Sequence, residues 1–335
     1  MNKIFLLGLV ILFSCGRSDV DKLKFLERGN IAYEGKDYTQ AVNFYSDALA
    51  KDPLFVDAWN NKGLALMKLA SYDEAIYCFD QAIQHKPQYG EAILNNAKAN
   101  LAVKQYFAAA NHVDQLKKIW PDTSLVFFTD GLINAAMGET EKAMNGFRKV
   151  LELDPKHAEA MVNIANLYYH NRQADSAIIY LGEAIKIDPN LSNAYNILAM
   201  VYVQQEQYDD ALQAINTATS LSKNDPYYIN NKGFILLKLA RLEEAEESIV
   251  ISMKIDPYNG WVYRNLGLVR YAQNNYEESA RLLEKALKID TEIDYIYYDL
   301  AIAYRDMGEM EKACQLLELA PKHDENEYLL QELCY

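Results

Sequence analysis

Histidine and cysteine are scarce in this 335-residue chain, with five of the first and four of the second. His85, His112, His157, His170 and His323 stand in no H-x-x-x-H or comparable spacing, so no metal site is expected from them. The chain also lacks G-x-G-x-x-G, G-x-S-x-G and the phosphate-binding G-x-x-x-x-G-K pattern, which removes the commonest dinucleotide, hydrolase and nucleotide sites. No active site and no cofactor are expected. Basic residues are outnumbered, 33 Lys and Arg against 47 Asp and Glu, for a net charge of −14. A nucleic-acid binder needs a concentrated basic face to release counterions from phosphates, so DNA and RNA are excluded as partners. Proline and glycine are few, at 8 and 14, and no Pro/Gly/Ser-rich linker interrupts the chain after residue 22, which reads as one continuous array. The only sustained apolar run, Ile4 to Phe13, has half the ~20 residues that a membrane-spanning helix requires.

That run follows Lys3 and precedes Ser14 and Cys15, the layout of a secretory signal: a charged start, a short apolar stretch and a small residue. Leu12-Phe13-Ser14-Cys15 resembles the lipobox of bacterial lipoproteins, with Phe where a smaller residue is commoner. The resemblance implies a signal peptide over residues 1–14, cleavage before Cys15, a lipid on Cys15 and a linker over 15–21. The absence of Asp directly after Cys15 implies sorting to the outer membrane, on its periplasmic or surface side. Ser18-Asp19-Val20-Asp21 also resembles the export tags of Bacteroidota surface lipoproteins.

What the chain has in abundance is periodicity. Ala41, Ala75, Ala109, Ala143, Ala177, Ala211 and Ala245 lie 34 residues apart, and Ser279 and Ala313 continue the series. Nine units start at residues 22, 56, 90, 124, 158, 192, 226, 260 and 294 and run to 327 without insertion, with residues 328–335 left as a C-terminal cap. Such a period means one structural unit copied along the chain, each burying its apolar face against its neighbours. Position 8 is always Gly or Ala, position 20 is the alanine column, and position 32 is Pro in six units. Within a unit the apolar spacing is helical, and small residues at 8 and 20 are expected where two antiparallel helices cross. Asp-Pro pairs such as Asp52-Pro53 and Asp188-Pro189 are expected to end the second helix, because proline disfavours helix in the residue before it.

Small-8, Ala-20, small-27 and Pro-32 at this period resemble the tetratricopeptide repeat, with Asp57-Ala58-Trp59-Asn60-Asn61-Lys62-Gly63 and Tyr72-Asp73-Glu74-Ala75 close to its consensus. The resemblance implies an all-α superhelical solenoid of nine helix-turn-helix repeats. It also implies a non-catalytic protein-binding scaffold whose first-helix positions 2, 5, 6, 9, 12 and 13 line the inner face. One specialised use of the family fails on residues: a carboxylate clamp needs Lys at position 5 and Asn at position 9. No unit has that Lys, and Arg264 is followed by Leu268 where Asn is required.

The inner-face positions supply the candidate binding residues. Asn61, Asn95, Asn163, Asn231 and Asn265 share position 6, and Asn166 takes position 9. An amide both donates and accepts, so this column fits an extended peptide backbone or, equally, bonding between helices. Phe128, with Leu94, Leu101, Leu125 and Leu132, is expected to form an apolar stretch. Tyr227, Phe234, Trp261, Tyr271, Tyr295 and Tyr298 are expected to form an aromatic one beside Arg264. The ligand expected there is a protein or peptide, with membrane contact through the lipid alone. The alternatives are a cytoplasmic adaptor, should the first residues not be a signal, and a glycan-binding or enzyme-associated subunit. Cys314 lies in the last second helix and Cys334 in the cap; folding back of the cap would bring them together, and in an oxidising compartment a disulfide would pin that end.

Overall fold

The computed structural model describes the backbone of residues 5–321 and 324–335, and the side chains of residues 20–321 and 326–335. The side chain of Cys15 lies outside the described residues, as do those of the expected signal segment. Among the described residues every regular element is an α-helix. Two compact units divide the chain, Met1–Ala160 and Met161–Tyr335. The first contains α1 (Phe5–Glu34), α2 (Tyr38–Lys51), α3 (Val56–Lys68), α4 (Tyr72–His85), α5 (Gly90–Ala102), α6 (Tyr106–Ile119), α7 (Ser124–Ala136) and α8 (Thr140–Leu153). Then come α9 (Ala158–His170), α10 (Ala174–Ile187), α11 (Ser192–Gln204), α12 (Tyr208–Leu221), α13 (Pro226–Lys238) and α14 (Leu242–Ile255). The chain ends with α15 (Gly260–Ala272), α16 (Tyr276–Ile289), α17 (Ile296–Asp306), α18 (Met310–Leu319) and α19 (Asp324–Cys334). Among the described residues no helix is long and apolar enough to cross a membrane.

Within each unit the pattern is uniform: a second helix packs against its own first helix and against the next first helix, and successive first helices such as α3 and α5 or α13 and α15 touch. The turn between the two helices is built the same way in every repeat. Position 15 has a left-handed backbone at Lys36, Ala70, Lys104, Gly138, Arg172, Glu206, Ala240, Asn274 and Gly308. The next N–H then reaches back to the carbonyl of position 11, as from Ser71 to Leu66 and from Arg241 to Leu236, both at 3.0 Å. This is the Schellman closure of a helix C-terminus; it turns the chain sharply and satisfies a carbonyl that the helix leaves open. Glycine relieves the Cβ conflict of that conformation at Gly138 and Gly308; the other repeats accept it in an L-residue.

At the other end of the repeat, the aspartate before the Asp-Pro proline does more than mark a boundary. Asp52, Asp154, Asp188, Asp256 and Asp290 each accept a bond from the N–H two residues on, at 2.9–3.1 Å. The carboxylate thus closes an Asx turn while proline, where present, blocks continuation of the helix.

The alanine column is completely buried in all nine repeats, Ser279 included. Its carbonyls stand close to position 8: a Cβ on Gly233 would lie 3.1 Å from the Ala245 oxygen, and one on Gly267 3.3 Å from that of Ser279. Position 8 also meets position 24. Where position 24 is aromatic, at Tyr45, Phe79 and Phe147, position 8 is glycine, and an added Cβ on Gly63 would come within 2.5 Å of the Phe79 ring. Where position 24 is Val113, Leu181, Ile215 or Leu317, position 8 carries alanine, whereas Ile249 and Leu283 still face glycine, at Gly233 and Gly267. An aromatic at position 24 is thus always met by glycine, so in those repeats size is traded across the crossing. At the C-terminus α19 covers the last repeat: Leu329 is buried with Ala301, Ala313 and Leu317, and a disulfide joins Cys314 to Cys334 across a Cα–Cα distance of 5.7 Å. Cys78 is a buried free thiol, raised to about 11 by burial.

Candidate functional site

The position-6 amides act mainly between repeats. Asn95, Asn231 and Asn265 donate to the position-5 carbonyl oxygens of the preceding repeat, Asn60, Asn196 and Asn230, at 2.9, 2.9 and 3.1 Å. In the first repeat position 5 is Leu26, and Asn61 reaches Asn30 instead at 3.0 Å, where the hydroxyl of buried Tyr45 also donates at 2.9 Å. These bonds satisfy groups that stacking removes from water. Asn265 is buried, with its Oδ1 unpartnered, and of the two uses expected for the column it makes the bond between helices. Asn61, Asn95 and Asn231 are half-buried with their Nδ2 already engaged.

Arg264 also bonds between repeats. It occupies position 5 of the eighth repeat, is 7 % exposed, and its Nε donates to Asp299 at position 6 of the next repeat at 2.7 Å. It is therefore the charged counterpart of an asparagine rung and not a free ligand for a partner. Burial raises the Asp299 carboxyl from its ordinary value, against the downward pull of Arg264. The guanidinium lies 5.6 Å from the Trp261 ring centre and braces it from behind.

Tyr271 and Tyr298 also make contacts within the fold. Tyr271 donates its hydroxyl to Asp306 and lies against Tyr276, the rings tilted at 53° and 5.3 Å apart, while burial lifts its phenol to about 12. Tyr298 packs into the cluster that holds α19. Phe128, in the first unit, is braced by Phe147 at 5.7 Å and His157 at 5.0 Å, and Leu94 is buried beneath the expected apolar stretch. Asn163 and Asn166 are half-buried on α9, and Tyr227 is exposed at the start of α13; none of the three lines the cavity described next.

The structure brings together a different set, all in the second unit. A cavity of about 630 Å³ is walled by Tyr169, Phe234, Trp261 and Tyr295, with Met200 and Val203 beside them and His170, Arg172, Gln204, Arg264 and Asp294 at its polar edge. Most of these residues occupy first-helix positions 2, 5, 9, 12 and 13 of successive repeats. Packing explains why they converge: the second helices stand outside, so the first helices present these positions together. Tyr169 lies 5.0 Å from His170 with the rings inclined at 60°, and its phenol is raised by burial and by Asp294. Lys238 lies 5.3 Å from the Phe234 ring centre. A second cavity of about 350 Å³ adjoins Arg172 and the segment 291–297, with Pro321 and Asn326 closing its far wall.

Tyr295 borders both cavities, and its backbone is the irregularity of the array. It has φ 61° and ψ 8°, left-handed, at position 2, which in the other repeats already lies inside the first helix. The eighth repeat lacks the turn proline, having Thr291, and α17 starts only at Ile296. For a bulky residue this conformation costs on the order of 1–2 kcal/mol. Its exposed ring is held over the groove, with the hydroxyl 3.4 Å from Nη2 of Arg172. Arg172 could not be found from inner-face periodicity because it sits at position 15; Tyr169, His170, Met200 and Gln204 occupy positions 12, 13, 9 and 13, so the frame was sufficient to find them. Among the described residues no group of three or more His, Cys, Asp and Glu is placed to hold a metal ion.

A stack of helix pairs joined by Schellman turns, offering a groove of first-helix side chains, defines a helical-repeat scaffold. Sequence models of the tetratricopeptide repeat match residues 56–89 and 252–333. A model of anaphase-promoting complex, cyclosome, subunit 3 matches 136–218 and 170–250. Human tetratricopeptide repeat protein 6 is 35 % identical over 75 residues, which is 22 % of this chain and 14 % of that protein, so the chain spans a small part of that relative. Among solved structures, the APC/C hetero-tetramer Cut9–Hcn1 aligns over 93 % of this chain and 76 % of its own, with TM-score 0.65 and 14 % identity. A thermophilic tetratricopeptide-repeat protein of Thermus thermophilus aligns over 54 % of this chain and 99 % of its own, with TM-score 0.50 and 20 % identity. These likenesses establish the fold as an all-helical tetratricopeptide-repeat solenoid.

Proposed function

We propose that the chain is a non-catalytic scaffold of the bacterial envelope, anchored to the outer membrane through a lipid on Cys15, and that it holds segments of partner proteins on its first-helix face. The observation that carries the binding reading is the cavity between Tyr169, Phe234, Trp261 and Tyr295. Aromatic side chains left in contact with solvent in a concave site are what a protein ligand buries most profitably. The anchoring reading rests on Lys3, the apolar run to Phe13 and the lipobox-like Leu12-Phe13-Ser14-Cys15.

A photo-crosslinking residue in place of Trp261 tests the groove in the producing cells. The expected result is a small set of protein adducts that are absent when the same probe replaces Ile179, a 61 %-exposed residue on a second helix. Identical adducts from both positions, or none from Trp261, would remove the groove reading. Metabolic labelling with a fatty-acid analogue tests the anchor: label should enter the wild-type chain and not Cys15→Ala. An unlabelled wild-type chain would end the lipoprotein reading.

A further inference from the structure

The second unit pairs its arginines with carboxylates almost without exception. Arg241 is bonded to Glu244, Arg264 to Asp299, Arg270 to Glu246, Arg281 to Glu278 and Arg305 to Asp306, at 2.6–2.7 Å. Arg172 has no such carboxylate among the described residues, although the chain carries a net charge of −14. It is exposed, fixed by the left-handed turn after α9, and its guanidinium points at the hydroxyl of Tyr295. Two donors from residues 123 apart in sequence therefore converge at the boundary between the two cavities. A guanidinium and a phenol can both donate to one carboxylate, and two such charge-assisted bonds orient it. Immediately beside them, Trp261, Phe234 and Met200 offer an apolar wall.

We infer that Arg172 and Tyr295 form a subsite for the side-chain carboxylate of an internal Asp or Glu in a bound peptide, with an adjacent large apolar side chain seated against Trp261 and Phe234. This rests on the groove reading above and specifies its ligand. The internal position follows from the two cavities: they flank the same pair of donors, so a segment crossing them continues on both sides of the anion. A terminal carboxylate would leave one of them empty. The strained backbone at Tyr295 fits the assignment, since left-handed bulky residues persist where their placement serves a site. Asp294 lines both cavities and Glu292 the smaller one, which confines an anion to the immediate reach of Arg172 and Tyr295.

The test is fluorescence anisotropy with a short labelled peptide, amidated at its C-terminus, containing one glutamate next to one phenylalanine in an otherwise Ser/Gly sequence. Two control peptides carry glutamine for glutamate, or glutamine together with a free C-terminal carboxylate. The glutamate peptide should bind at least tenfold more tightly than either control. Arg172→Gln should remove that preference, and Tyr295→Gly should weaken binding while raising the melting temperature, a combination that a folding defect cannot produce. Equal affinities for all three peptides, no binding of any, or an Arg172→Gln variant that keeps the preference would overturn the inference. So would tighter binding of the free-carboxylate control. Protein adducts at Trp261 that persist unchanged in Arg172→Gln would leave the groove reading intact while this subsite failed.

Discussion

Gly63→Ala probes the packing rule of the array. Gly63 lies inside α3, where alanine is worth about 1 kcal/mol more than glycine on helix propensity alone. Its new Cβ would stand 2.5, 2.8 and 2.9 Å from three atoms of the Phe79 ring, which is fully buried among Leu66, Ala75, Cys78 and Ala99. The ring has nowhere to go without displacing the alanine column, and overpacking of this kind costs about 1–3 kcal/mol. The net expectation is a loss of up to about 2 kcal/mol from the two opposing effects. Phe79→Leu restores the combination used at Ala165–Leu181 and Ala301–Leu317. In that background Gly63→Ala should change sign and stabilise by about 1 kcal/mol, the propensity gain alone. Urea unfolding of the four proteins of this cycle, read as midpoints at unchanged slope, gives the coupling. Additive effects, or a stabilising Gly63→Ala in the wild-type background, would refute the idea that positions 8 and 24 are matched in size.

Other rungs and columns yield equally definite expectations. Asp299→Ala leaves the nearly buried Arg264 without its partner and should cost about 3–5 kcal/mol by calorimetry or denaturation. Arg264→Asn combined with Asp299→Asn recreates the neutral bond seen at Asn230–Asn265 and should recover most of that loss. Ser279→Ala removes a buried hydroxyl that has no partner and should stabilise by about 1 kcal/mol, measured as a rise in urea midpoint. Asp52 is held below the usual carboxylate range chiefly by its 2.7 Å hydrogen bond from Lys22. A depressed carboxyl contributes stability above its unfolded value and loses it as pH falls through the folded one. Lys22→Met should therefore lower stability at neutral pH and leave the protein indistinguishable from wild type once both carboxyl forms are protonated in acid, as followed by pH-dependent denaturation.

The repeat frame was legible in the sequence because packing is local. Each unit contacts only its neighbours, so the small residues at positions 8 and 20 recur at a fixed spacing and show the period directly. The same frame listed the inner-face positions, among them Trp261, Phe234 and Tyr295, which border the larger cavity of the second unit. What it could not show is how each side chain is used. Asn265 and Arg264 stand at inner-face positions but bond sideways to Asn230 and Asp299, because the neighbouring repeat happens to offer a complementary group there. Periodicity reports position within a repeat, whereas that choice depends on what stands across the interface.

The sequence by itself determined the helix pairs, their register and the places where they close, since these depend on propensity, proline, Asx turns and the size of a few side chains. Tertiary structure decided which inner-face residues remain free. It joined Cys314 to Cys334 and placed Arg172 against Tyr295 across 123 residues of chain, a meeting that neither local pattern foreshadows. The physical reason is range: helices are specified over a few residues, but a site formed by their stacking depends on backbone irregularities, such as the left-handed Tyr295, that only the assembled fold can support.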